Sequence, residues 1–418
     1  MPAALPAHDV TDLALAEAGR RRTEYAEAAM PVLGLIRERF AAEQPLAGQV
    51  VAACMHVTTE TAALARTLVA GGAELHLAAS NPLSTQDDVA AALVADGVGV
   101  HARHGVDRAG YAAHLSAVVA AGPTLVLDDG CDLLSVLHGR PSLIRKVRAG
   151  CEQTSTGVLR LRQMAADGAL KVPVVAVNDT PAQLLVANRH GTGQSALDAV
   201  IRSTGVLLAG STVVVAGYGW CGSGIATRAR GLGAQVVVTE VDPSRALAAL
   251  LDGHRVLPMA QALPLADVVI TSTGNRDVVG ADHVGLLRDG VVLANAGHFD
   301  VEVDVAALAA AAVEVHRRVR PQVDAYLLPD GRRVLLLAEG RLANLAAAEG
   351  HPASVMDVSF AVQALTLEWL VTQKLKAGVH EVPLSIDDAV ARTKLTAAGV
   401  ELDILTAGQQ RYLSSWRP

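Results

Sequence analysis

The sequence predicts an α/β protein of two doubly wound, Rossmann-like domains with parallel sheets, followed by a small C-terminal segment. Three observations carry that expectation. Short apolar, valine-rich runs alternate with helical stretches along most of the chain, which builds a parallel sheet with helices on both faces. The 418 residues exceed what one core usually holds. Between Thr212 and Glu240 the order is strand, glycine loop, helix, strand, the layout of a dinucleotide-binding unit.

Residues 11 to 41 read as helical, with apolar positions three and four apart and Pro31 breaking the run. From Gln49 the strands QVVAAC, AELHLAAS, VGVHA and TLVLDDG alternate with helices. Ligands of such sheets lie beyond the carboxyl ends of strands, which singles out His56, Asn81 and Asp129. Residues 141 to 170 read as helical. KVPVVAVND then forms a short strand leading into a helix that carries Gln183, Ala187 and Asn188.

Val213 to Val215 run into Gly217, Gly219 and Gly222. In that spacing the first glycine turns the chain, the second admits a pyrophosphate, and the third lets helix approach strand. Glu240, about 20 residues on, suits a ribose diol and so favours NAD over NADP. Arg245 tempers that preference. The strands ADVVITSTG and GVVLANAG complete the unit and end in Thr273, Gly274 and Asn275, and in Asn295 and His298. HFDVEVD places His298, Asp300, Glu302 and Asp304 at alternate positions. It reads as a solvated edge strand with His298 turned inward, and no metal site is expected. The remainder reads as strand, turn and long helix, with a hinge near His351-Pro352. The expected domains are 1–185 with 350–380, then 190–346, then a segment 381–418.

A net charge of -7 argues against nucleic acid as a partner. Cys54, Cys131, Cys151 and Cys221 have neither zinc-site nor disulfide-framework spacing, which suits a reducing cytoplasm. The N-terminus lacks signal-peptide character. The longest uncharged run, Val206 to Thr227, contains the glycine loop, so no membrane partner is expected.

CMHVTTETAAL, SNPLSTQDD, LDDGCDL, QTSTGV, LKVPVVAVND, VVVAGYGWCGSG, VTEVDP, TSTGN, NAGHFDVEVD, LLLAEGRLANL and GHPASVM closely resemble the S-adenosyl-L-homocysteine hydrolase family over nearly the full length. The resemblance implies a substrate domain assembled from both chain ends, a central NAD domain, a hinge, and a homo-oligomer, dimer or tetramer. It implies an adenine nucleoside whose 3′-hydroxyl is oxidised by bound NAD, acidifying the C4′ proton so that the 5′ group can leave. On this basis His56, Asp129, Asn188 and His298 are expected to be catalytic. Thr58, Glu60, Gln153, Gln183, Glu349, His351 and Met356 are expected around the nucleoside, with Glu60 and His351 at the adenine. Thr154, Ser155, Thr156, Asn275 and Asn344 are expected to contact NAD beside the three glycines and Glu240.

The chain also departs from the family pattern. Gln153 stands where the family has a ribose-binding glutamate, Gln183 where it has the catalytic lysine, and Ala187 where it has an aspartate. The family's basic, aromatic tail is missing, and Glu349 could supply a replacement carboxylate. These changes favour an NAD-dependent lyase that removes water from the 5′ position of a ketose adenine nucleoside, as from angustmycin C to angustmycin A in antibiotic biosynthesis. Ala187 would open room beside the sugar. The alternatives are hydrolysis of S-adenosylhomocysteine to adenosine and homocysteine, and a non-catalytic NAD-binding homologue.

Overall fold

The structure, a computed structural model, describes residues 5–416. The first six strands are β1 (Val50–Met55), β2 (Glu74–Ala79), β3 (Gly99–His101), β4 (Leu125–Asp128), β5 (Ala149–Glu152) and β6 (Pro173–Ala176). The next eight are β7 (Thr212–Ala216), β8 (Gln235–Thr239), β9 (Arg255–Val256), β10 (Val268–Thr271), β11 (Val292–Asn295), β12 (Glu314–Arg320), β13 (Val323–Leu327) and β14 (Arg333–Leu337). The last is β15 (Gly378–Glu381).

Seven strands form an all-parallel sheet in the order β15-β6-β5-β4-β1-β2-β3. β1, from Val51 to Met55, is buried on both faces, as expected of a strand covered by helices on both sides. The strand order reverses at the β1–β4 pair, where Cys54 lies opposite Asp128. The second sheet runs β12-β13-β14-β11-β10-β7-β8-β9 and reverses at β7–β10. Each reversal opens a crevice at the carboxyl ends of its strands, the usual ligand position in such sheets.

Three sequence expectations fail locally. The second sheet is mixed, because β13 runs antiparallel to both β12 and β14. β12 is EVHRRVR, an edge strand dominated by exposed residues, and its charges hide the strand signal. Residues 141 to 170 are not one helical stretch. They contain the buried strand β5, AGCE, which lacks β-branched residues, followed by the helix Ser155–Ala166. HFDVEVD is a turn, and Glu302 is 1% exposed, drawn inward by backbone donors rather than lying on a solvated edge.

Both chain ends build the first domain. Asp357, on the helix Ala353–Thr372, accepts hydrogen bonds from Val32 N at 3.3 Å and Leu33 N at 2.8 Å. Lys394 Nζ donates to it at 2.7 Å. That helix is long and apolar enough to span a bilayer, yet it packs in the core through Phe360, Ala361, Val362, Ala364 and Leu367. The segment from residue 381 starts within β15, where Glu381 pairs with Ala176, and continues as the helix Leu384–Ala397. Residues 396–416 are exposed throughout.

Candidate active site

His56 and Asp129 follow β1 and β4, so the strand reversal brings them together. His56 Nε2 lies 3.5 Å from Asp129 Oδ2. On its other side, His56 Nδ1 lies 2.6 Å from Ser84 Oγ, and Ser84 spends its hydrogen on Asn81 O at 2.9 Å. Nδ1 therefore carries the imidazole hydrogen, leaving Nε2 a bare acceptor toward Asp129.

His298 enters from the second domain, just after β11. Its ring centroid stands 6.3 Å from that of His56. A Cβ on Gly130 would lie 3.1 Å from His298 Nε2, and Gly130 has a φ of +119°, so both space and backbone call for glycine. Ligand-competent atoms of His56, Asp129 and His298 lie within 4.8 Å of one another, close enough to share a cation. Of the HFDVEVD run only His298 joins them.

Burial disfavours charge throughout this cluster. It pushes the His56 and His351 rings down to about 4 and lowers His298 as well. It raises the Asp129 carboxyl, an effect opposed by His298.

Beneath the cluster lies a carboxylate floor. Glu152 accepts hydrogen bonds from the backbone N–H groups of Gly130, Cys131 and Thr154, each at 2.9 Å. Asp128 accepts from Leu134 N at 2.9 Å. Together they hold the Asp129 loop. Cys131 adopts a φ of 66° there, a left-handed conformation that costs a non-glycine residue energy. Sequence reasoning missed Glu152 because β5 itself was missed. It also missed Ser84, which lies within SNPLSTQDD but has no spacing that marks it as a partner of His56.

The cavity between the domains has a volume of about 450 Å³. It is lined by His56, Thr58, Glu60, Asp129, Gln153, Thr154, Ser155, Thr156, Gln183, Asn188, Gly219, His298, Asn344, Glu349, His351 and Met356. Arg245, Ser272 and Phe360 also line it. At one end Thr58 caps the helix Thr59–Ala70, and Glu60 lies in its first turn. His351 Nε2 lies 3.1 Å from Thr192 Oγ1. Gln183 and Asn188 belong to a ten-residue π-helical segment, Gln183–Thr192, joining the two domains, an uncommon geometry that clusters at functional sites.

Three expected features differ. The Glu349 side chain lines the cavity only at its rim, where it is 71% exposed and lies 3.8 Å from Arg22. Ala187 is buried and does not line the cavity, so it adds no room beside the substrate. Asn275 is exposed outside the cavity, and its backbone N–H is tied to Thr273 Oγ1 at 3.0 Å.

The opposite end is a dinucleotide cradle. Gly217 has a φ of +93°, and a Cβ on Gly222 would lie 1.9 Å from Gly217 O, so neither position admits a side chain. Gly219 caps the helix Trp220–Gly231, whose N-terminal N–H groups favour an anion. Glu240 shapes the turn by accepting from Tyr218 N and Val241 N, each at 2.7 Å. Glu302 accepts from Thr273 N at 3.0 Å and Gly274 N at 2.8 Å, pinning the loop after β10.

Two family models match: "S-adenosyl-L-homocysteine hydrolase" over residues 7–149, and its "NAD binding domain" over residues 188–350. An adenosylhomocysteinase of Aquifex aeolicus is 57% identical, with 98% of each chain covered. This chain belongs to the S-adenosyl-L-homocysteine hydrolase family. NAD is its cofactor, and the glycine cradle fits it. A protein of Methanopyrus kandleri named S-inosyl-L-homocysteine hydrolase is 50% identical, with 97% of each chain covered. A dipicolinate synthase of Bacillus halodurans shares the fold at a TM-score of 0.51 and 15% identity, covering 78% of this chain and 99% of that one.

Proposed function

We propose that this chain binds an adenine nucleoside in the interdomain cavity and expels its 5′ group through transient oxidation at C3′. The observation that carries this reading is the meeting of His56 and Asp129 from one domain with His298 from the other, in a cavity that reaches the glycine cradle. Bound NAD would accept a hydride from C3′ and later return it. Asp129, whose carboxyl is raised by burial and which stands beside both histidines, is suited to take the C4′ proton. Protonated Asp129 then faces the bare Nε2 of His56, which relays the proton to the departing 5′ group. His298 stands beside Asp129 and can hold the proton of the oxidised hydroxyl. Asn188 orients the sugar from the connecting segment. Glu60 and His351 address the base, while Thr154, Ser155, Thr156 and Asn344 line the way to NAD.

The names of the relatives favour S-adenosylhomocysteine as substrate, with water adding where the thiol left. A second reading, loss of water from a ketose adenine nucleoside of the angustmycin type, is favoured by the two neutral amides, Gln153 and Gln183, in the cavity wall. The relative named for an inosyl substrate supports variation of the base between members with this degree of identity. A reducing, cytoplasmic setting suits four free cysteines. A homo-oligomer is supported by the exposed C-terminal segment, which presents Ile404, Tyr412 and Leu413.

The test incubates the NAD-loaded protein with each candidate, follows reduced-cofactor absorbance and identifies products by mass. Homocysteine and adenosine establish hydrolysis, whereas a product lighter by one water establishes dehydration. If neither substrate gives a reduced-cofactor band or a product, the proposal fails in favour of a non-catalytic NAD-binding homologue.

A further inference from the structure

Gln183 opens the π-helical segment between the domains and is 3% exposed, yet it lines the cavity. Its Oε1 accepts a hydrogen bond from Ser359 Oγ at 2.5 Å. The oxygen of the amide is thus the atom turned toward Ser359. The nitrogen, Nε2, has no protein acceptor among the described residues and is not sealed from the cavity. An amide nitrogen offers two hydrogens and accepts none. Whatever meets it must bring a lone pair.

We propose that Gln183 is a substrate-reading hydrogen-bond donor, locked in that sense by Ser359, and that it selects nucleosides whose sugar presents an acceptor oxygen, from a hydroxyl or a carbonyl, to its Nε2. The inference rests on the reading of the cavity as a nucleoside site. It has a chemical consequence: Gln183 takes no proton from the sugar. A hydroxyl bound there must release its own proton toward Asp129 and His298, the titratable groups across the cavity. Gln153, held by Gln363, is a second neutral amide in the same wall.

The test is calorimetric binding of adenosine and 3′-O-methyladenosine to the NAD-loaded protein. The ether oxygen of the methylated sugar can accept a hydrogen bond but cannot donate one, and its C3′ has no free hydroxyl to oxidise. The native protein is expected to bind the two ligands within about threefold of each other, since only an acceptor is needed. Gln183→Glu replaces the donor with an acceptor and is expected to bind the methyl ether about tenfold more weakly than adenosine. Gln183→Met removes the donor without adding a charge, and is expected to weaken both ligands by a similar factor of about five.

Rejection of the methyl ether by the native protein, or unchanged affinities in Gln183→Met, would overturn the assignment. So would a failure of both ligands to bind the native protein. Absorbance of reduced cofactor, read in the same samples with adenosine, separates the two proposals. Binding in the expected pattern without that band sinks the oxidation reading and leaves Gln183 a donor.

Discussion

Asp129 and His56 each gain their chemistry from a neighbour to which the sequence assigns no role. Ser84 fixes the His56 tautomer, and Glu152 holds the loop that presents Asp129. Asp129→Asn keeps the shape and removes the base. It is expected to lower kcat by roughly 10²- to 10⁴-fold, the usual contribution of a positioned acid–base group, with much less change in nucleoside affinity. Steady-state kinetics beside calorimetric binding would show the split. The buried histidines also predict a pH dependence of stability. His56 and His351 titrate near 4 in the fold, against 6.5 ordinarily. Between those values the unfolded chain binds more protons, so stability rises with pH. The contribution is complete above about 6.5 and is lost as pH falls toward about 4, at most about 3 kcal/mol per ring. Urea unfolding across that range should show the slope, and His351→Asn should reduce it.

At the scale of elements, the glycine loop was readable because its spacing reports a backbone constraint. Gly217 needs a positive φ, and Gly222 has no room for a Cβ. Gly222→Ala is expected to weaken NAD binding more than about 100-fold, since a methyl at 1.9 Å from Gly217 O must push the turn aside. Cofactor titration monitored by fluorescence would measure it, and unchanged affinity would remove the cradle from the account. Other contacts are not written in any local pattern. A Cβ on Gly224, two residues past the motif, would lie 1.9 Å from Arg189 O, so that glycine packs the cofactor helix on the connecting π-helical segment. Glu302 looked like one of four alternating polar residues, yet it is buried beneath Thr273 and Gly274. Period-two spacing cannot distinguish a strand face from a turn whose carboxylate is claimed by distant backbone N–H groups.

In the whole molecule, the first domain closes only when both chain ends meet. Asp357 joins the helices that start at Pro31 and Leu384, and β15 completes the sheet beside β6. The exposed stretch beyond residue 396 lies outside that arrangement. Deleting residues 401–418 is expected to leave the fold intact and to lower the assembly state, checked by light scattering after size exclusion. An unchanged molar mass would mean that this stretch takes no part in assembly.

The sequence by itself determined the fold class and the glycine cradle, and it named many of the residues that line the cavity. These features depend on short-range periodicity, on backbone limits at single glycines, or on motifs long enough to mark a family. Only the tertiary structure decided which acids are buried, where Glu349 points, that Ala187 leaves the cavity unchanged, and which end of the Gln183 amide faces the ligand. Those outcomes depend on groups far apart in the chain, such as Ser359 on Gln183 and Arg22 near Glu349. Hydrogen bonding and desolvation act through space, and residue spacing along the chain does not record them.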